Sequence, residues 1–274
     1  MRVEELELGM APRALEFLER DAFGNLRVIW ALRRWGLFDM GLAEQGRYLA
    51  AREEEEIVGL LFHNNLGIWR LAGPREVVRE LGERALDLWG MPSLLAGPEA
   101  EVDALLGALP ALARRVEHRE EEVTMALSPP GALPESGEAV AAGEEDLEDL
   151  VRLEMSLYHE LVGGGAAAWA LRSQMLRAVE EGAAAVVRSG GRAVAKAEME
   201  AVTPRADELG GVYVVPEFRR RGYATAACSL VCASSLRKGK VVRLETQRDN
   251  HASIGLYRKL GFREHGPHLA VRFA

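Results

Sequence analysis

The sequence predicts an α/β (α+β, mixed-sheet) protein built as two successive domains, and three observations lead there. First, 274 residues of which 48% are hydrophobic exceed one ordinary small domain and are too apolar for a disordered chain. Second, the run Ser128-Pro129-Pro130-Gly131-Ala132-Leu133-Pro134 can sustain neither a helix nor a sheet ladder. It divides the chain into 1–128, a Pro-rich linker at 129–136, and 137–274. Third, helical and strand-like periods alternate in each half in the same order.

In the second half, residues 144–161 place Leu147, Leu150, Val151, Leu153 and Leu157 at helical spacing behind an acidic first turn. Gly163-Gly164-Gly165 breaks this helix and 167–179 form the next. Two apolar runs, 183–188 and 193–200, flank Ser189-Gly190-Gly191, the composition of a hairpin turn. A third strand at 211–215 is stopped by Pro216. Residues 225–237 read as helix, 241–246 as strand, 251–260 as helix and 269–273 as a final strand.

The first half repeats this succession. Strand 3–8, helices 14–18 and 26–35, a hairpin of 47–51 with 57–63, and strand 68–71 come first. Helix 76–88, an extended 93–96, helix 99–109 and strand 116–127 follow. The matching order predicts an internal duplication.

Composition narrows the functional classes. Residues 1–136 carry 15 Arg, no Lys and 24 acidic residues, whereas 137–274 carry 19 basic and 18 acidic residues. A chain with net charge −8 lacks the phosphate-neutralising surface of a nucleic-acid binder. No stretch reaches the ~20 consecutive apolar residues of a membrane span, and Met1 runs into Arg2, Glu4, Glu5 and Glu7 without the apolar segment of a signal peptide. A cytoplasmic protein without membrane contact is the expectation. Cys228 and Cys232 lie four apart on one predicted helix face as small core residues, and no histidine cluster joins them, so no metal is expected.

Chemistry concentrates in two segments. The first is Val212-Tyr213-Val214-Val215-Pro216-Glu217-Phe218-Arg219-Arg220-Arg221-Gly222-Tyr223-Ala224, a strand, a turn and the start of a helix. Free N–H groups at a helix start, backed by the helix dipole, bind anions, and the small residues Gly222 and Ala224 allow phosphate close to the backbone. Neither the Gly-x-x-x-x-Gly-Lys pattern nor Gly-x-Gly-x-x-Gly is present; a pyrophosphate held by main-chain amides without a metal fits, and so, taken alone, does a basic turn that merely caps a surface helix. The second is Asn250-His251-Ala252-Ser253-Ile254-Gly255-Leu256-Tyr257-Arg258-Lys259-Leu260-Gly261-Phe262. Asn250 begins a helix, where its side chain can cap or meet a ligand; Ile254, Tyr257 and Leu260 share a face, and Gly261 ends the helix.

Together these segments resemble the GNAT superfamily of acetyl-CoA-dependent N-acyltransferases, most specifically at Arg219-x-x-Gly222-x-Ala224 and across 250–262. The resemblance covers about 137–274. It implies that the main chain at Val212 and Val214 pairs with the pantetheine arm of acetyl-CoA. It further implies that the amides of Arg219, Arg220, Arg221, Gly222, Tyr223 and Ala224 hold the pyrophosphate, that Asn250 contacts the cofactor, and that Tyr257 stands near the thioester sulfur. Ala224 replaces the commoner glycine.

In such a reaction a neutral primary amine attacks the thioester carbonyl, an oxyanion develops and a thiolate leaves. A phenol, with an ordinary pKa of about 10, can protonate that thiolate, which makes Tyr257 the general acid. Glu198 and Glu200 alternate along one strand and so share a face, as candidate bases; Glu245 and His159 are weaker rivals. A main-chain N–H such as that of Val214 would meet the oxyanion. The acceptor is expected to be a small-molecule or peptide amine. A regulatory or interaction protein that binds acetyl-CoA without turning it over is the alternative.

The corresponding turn of the first half, Leu71-Ala72-Gly73-Pro74-Arg75, lacks the basic triplet and the second small residue, and the helix at 99–109 has no tyrosine. A degenerate GNAT-like domain follows, one that walls the acceptor site or makes a homodimer contact. Four of the five tryptophans (Trp30, Trp35, Trp69, Trp89) lie there as expected core or interface residues.

Overall fold

The computed structural model describes residues 1–163 and 167–274. Contacts divide them into two compact units that are discontinuous in sequence: Met1–Thr124 with Glu245–Asp249 and His265–Ala274, and Met125–Leu244 with Asn250–Glu264.

The first unit begins with β1 (Arg2–Glu5), α1 (Ala11–Glu19) and α2 (Leu26–Trp35). Antiparallel β2 (Gly46–Glu53), β3 (Glu56–Asn64) and β4 (Ile68–Ala72) follow, then α3 (Arg75–Trp89) and β5 (Leu94–Pro98), which pairs with β4 in parallel. Helices α4 (Glu99–Ala108) and α5 (Pro110–Ala113) lead into β6 (Val116–Leu127). Leu49, Leu61, Trp69, Leu81, Leu95 and Leu105, all fully buried, form the centre of the core. Each such side chain contributes about 1.5–3 kcal/mol by leaving water. Trp69 is satisfied inside the core by donating Nε1–H to His63 Nδ1 at 2.6 Å, and Trp89 donates to Glu5 at 2.9 Å.

The second unit repeats that order. It runs β7 (Ala139–Ala141), α6 (Leu147–Val162), α7 (Ala168–Glu180), antiparallel β8 (Ala184–Ser189), β9 (Arg192–Val202) and β10 (Ala206–Val214). Then come α8 (Tyr223–Arg237), β11 (Val241–Gln247), which pairs with β10 in parallel, α9 (His251–Lys259) and β12 (Arg263–Phe273). The same three antiparallel strands, helix and parallel strand recur, which is the duplication read from the sequence. Gly163 ends α6 with φ +67°, as the glycine triplet predicts; Gly164 and Gly165 lie outside the described residues.

Lys196, Glu198 and Glu200 point from one face of β9, the face covered by α6 and α7. Ala195, Ala197, Met199 and Ala201 point to the other, where the small residues let α8 pack closely against the sheet. Cys228 and Cys232 are buried free thiols on α8, and burial pushes both pKa values up, as befits core residues rather than reactive ones.

Three elements differ from expectation. The short strand β7 was not legible. Strand β10 begins at Ala206 rather than 211, because the charged Asp207 and the pair Gly210-Gly211 hide the strand pattern. Asp207 is tolerated inside since it accepts from Ser235 Oγ at 2.7 Å, Lys240 Nζ at 3.0 Å and the Thr203 amide at 3.2 Å. The last strand, β12, is longer than 269–273, and from His265 onward it belongs to the first unit, where 268–272 pair antiparallel with β5. The second compact unit therefore does not extend to 274.

Leu269, Val271 and Phe273 complete the first unit's core. Removing residues 265–274 is expected to destabilise that unit by more than about 4 kcal/mol, since each deleted apolar side chain leaves an unfilled space. Hydrogen exchange should show protection lost first on β4 and β5; equal loss across both units would contradict this assignment.

Candidate active site

The site is organised by a strand that loses one neighbour. β10 pairs with β11 at 206–208 against 241–243 and no further, while its register with β9 continues through a shift between Gly210 and Tyr213. Gly211 sits in this bulge at φ +56°, a left-handed conformation that favours glycine. Val215 N–H bonds Val194 O on β9 at 2.9 Å, so the alternation of an antiparallel ladder turns the Val214 main chain toward the opposite edge. The Val214 carbonyl there accepts from Arg219 Nε at 3.0 Å. Its amide is left facing the edge that β11 does not cover. Val212 lies inside the bulge, half-buried like Val214.

After Val215 a single 3-10 turn, Pro216–Phe218, leads to Arg219, then Arg220 at φ +62° and Gly222 at φ +85°, which starts α8. No side chain caps α8, no acidic residue lies in its first turn, and the first backbone bond of this turn runs from Ala226 N–H back to Gly222 O at 3.0 Å. The amides of Tyr223 and Ala224, with the dipole behind them, thus stand uncapped at the helix end. A Cβ on Gly222 would meet nothing within 4 Å. The cradle fits a pyrophosphate.

The three arginines are not equivalent. Arg219 is pinned: its guanidinium contacts Glu160 of α6 at 2.6 and 2.9 Å as well as the Val214 carbonyl. Arg221 lies over the Phe218 ring at 5.2 Å. Tyr213 donates to Glu160 at 2.9 Å. Burial raises the Glu160 pKa, but bonds from Arg219 and Tyr213 outweigh it and the net shift is downward. Glu160 therefore clamps the turn to α6, a role that its place in an ordinary helical pattern does not announce.

Beside the bulge lies a buried charged cluster. Lys196, 1% exposed, has its Nζ 2.6 Å from Glu154 of α6 and 3.4 Å from Glu198. Gln174 of α7 donates to Glu198 at 3.0 Å. Burial pushes the Glu198 carboxyl up to about 7, against the pull of Lys196. Burial opposes the charge on Lys196, and Glu198 and Glu154 overcome it, holding the ammonium above the ordinary lysine value. A Cβ on Gly211 would lie 2.5 Å from Glu198 Oε1 and 2.6 Å from Lys196 Nζ, and one on Gly210 would collide with the Glu200 carboxylate. The two glycines make room for these charges. Sequence reading found Glu198 and Glu200 and missed Lys196, Glu154 and Gln174; the one available signal was a lysine alone among Ala193, Val194, Ala195 and Ala197.

Tyr257 is 7% exposed, and its pKa is raised by burial, with Cys228, Cys232 and Glu200 adding to the effect. Asn250 Oδ1 accepts from the Ser253 amide at 3.1 Å, which commits that oxygen to capping α9. Of the weaker rivals, Glu245 belongs to the first unit, where it lies 3.0 Å from His268 Nε2. His159 lines a cleft of about 700 Å³ along α6 with Val151, Arg152, Met155, Ser156 and Tyr213.

The matching turn of the first unit is closed. Gly73, one residue before the start of α3, has φ +134°, and a Cβ there would lie 2.9 Å from Gly59 Cα and 3.0 Å from Val58 O, so the main chain of β3 packs against this turn. Pro74 at the start of α3 further removes an amide.

Residues 148–262 match the sequence model of the acetyltransferase (GNAT) family. Among solved structures, the chain is similar to an acetyltransferase from the GNAT family of Colwellia psychrerythraea, at 15% identity and TM-score 0.67 with both chains fully covered. It is similar to a GCN5-related N-acetyltransferase from Sphaerobacter thermophilus, at 15% identity and TM-score 0.64 over 99% of this chain and 94% of the other. A tandem GNAT protein from the clavulanic acid biosynthesis pathway matches at 14% identity and TM-score 0.61, over 98% and 97%. No curated protein matches the chain. At these identities the likeness is one of fold. Residues 148–262 thus match the GNAT family model, and the whole chain has the fold of two GNAT-like halves in tandem.

Replacing Gly222 with Glu puts a carboxylate where the open cradle meets the α8 dipole. Calorimetry is expected to show acetyl-CoA affinity falling at least about 100-fold, as loss of charge-assisted bonds and added repulsion combine; normal affinity would exclude this turn as the pyrophosphate site.

Proposed function

We propose that the chain is a cytoplasmic N-acetyltransferase that moves the acetyl group of acetyl-CoA to a primary amine by direct attack, with one active site, in the second half. The observation that carries this reading is the edge of β10 beyond Glu208, unpaired with β11 and continued by the uncapped start of α8. An extended amide-bearing arm can bond the open Val214 and Val212 main chain while a pyrophosphate takes the amides of 219–224. No helix among the described residues is long and apolar enough to cross a membrane.

The attacking amine must be neutral. Glu198, with Glu200 beside it on the same face, takes the proton through ordered water, since its carboxyl is 1% exposed. The negative charge that develops on the thioester oxygen is met by the Val214 N–H, which needs no reorganisation to donate. The C–S bond then breaks, and Tyr257 gives its proton to the departing sulfur. The raised Tyr257 pKa keeps the phenol in its donor form across the physiological range. The first half binds no coenzyme A, because its turn lacks the basic triplet and has Pro74, without an amide N–H, where α8 begins with Gly222.

A thiol-release assay over a panel of small amines and amino-terminal peptides tests the reading. Tyr257→Phe is expected to lower kcat by about 100-fold or more with acetyl-CoA affinity unchanged. Acetyl-CoA binding with no acceptor-dependent thiol release would instead identify a binding module.

Because Glu198 must be ionised to accept a proton and its pKa is raised to about 7, kcat/KM should rise with pH through that value and level off above it. Glu198→Gln should abolish this limb; a limb of the same midpoint in the variant would remove Glu198 from the role.

A further inference from the structure

The Lys196 cluster is more than the fold requires. β9 is otherwise lined there by buried Ala193, Val194, Ala195, Ala197 and Met199, and an apolar side chain at 196 would bury as well without desolvating charge. Buried ion pairs rarely improve stability over well-packed apolar residues of similar size. The arrangement is also asymmetric: Lys196 is close to Glu154 at 2.6 Å and farther from Glu198 at 3.4 Å. Glu198 Oε1 is occupied by Gln174 and Lys196, while Oε2 has no partner among the described residues.

Resting on the acetyltransferase reading, we infer that Lys196, anchored by Glu154, is a positioning residue that holds the Glu198 carboxylate against the Gly211 bulge with one oxygen left to accept a proton. Three elements act on Glu198: Lys196 and Glu200 from its own strand β9, Glu154 from α6, and the uncharged Gln174 from α7; the facing β10 residues are the glycines Gly210 and Gly211. Lys196 favours the ionised carboxylate, and Glu154 and Glu200 oppose it. Glu154 has two roles. It fixes the ammonium at a distance that leaves Glu198 a working base, and its own charge limits how far the Glu198 pKa falls.

Opposite shifts in two variants test this. In full-length protein labelled with carbon-13, the side-chain carboxyl signal of Glu198, assigned by its loss in Glu198→Gln, is titrated by NMR. The midpoint is expected to rise by at least about one pH unit in Lys196→Met and to fall in Glu154→Gln. Lys196→Met alone leaves buried carboxylates without a cation, so the double variant Lys196→Met/Glu154→Gln serves if the single one does not fold, with a smaller rise expected. A midpoint unchanged on loss of Lys196 overturns the inference, whether or not any amine is turned over. With an amine that the panel shows to be acetylated, the acid limb of kcat/KM should move with the midpoint in both directions. If the midpoint moves and the limb stays, Glu198 is not the base and Lys196 does not serve the reaction. A purely structural role would lower the amplitude of both variants without displacing either profile.

Discussion

Parallel pairing of β10 with β11 lasts for three residue pairs and then stops, and much of the second unit is arranged around that ending. An unpaired strand edge inside a sheet is costly unless something satisfies its main chain. Here part of the demand is met internally, by Arg219 bonding the Val214 carbonyl. The Val214 amide faces the edge that β11 does not cover. The bulge at Gly211 bends the strand at the place where the pairing is lost.

The charges around the bulge follow from that geometry. A strand with two consecutive glycines has no side chains to cover its neighbour, so Glu198, Lys196 and Glu200 of β9 reach across the space the glycines leave. They are shielded from water by α6 and α7, which raises the Glu198 pKa and makes its ionisation depend on a lysine 3.4 Å away. Glu160 of the same α6 ties down the turn that begins the anion cradle. One helix therefore holds both the Lys196–Glu198 cluster and the turn before α8, by Glu154 near its middle and Glu160 near its end.

The two units share a frame and differ at the turn that follows their third antiparallel strand. Both have three antiparallel strands, a helix and a parallel strand in sequence order. The helix starts differ: Gly222 begins α8 with open space beside it, whereas Pro74, which has no amide N–H, begins α3.

Local periodicity and turn chemistry, which act over fewer than about 15 residues, made the element order, the repeat, and the turn at Arg219, Gly222 and Ala224 legible in the sequence alone. Tyr257 and Glu198 could be named as candidates from residue type and spacing. What only the tertiary structure decided depends on partners distant in sequence. Lys196 meets Glu154 from another element, Arg219 meets Glu160 across 59 positions, and the final strand leaves the unit it follows to pair with β5. Buried charge and strand exchange have no periodic signature, because the free energy that selects them arises from desolvation and pairing in the folded chain.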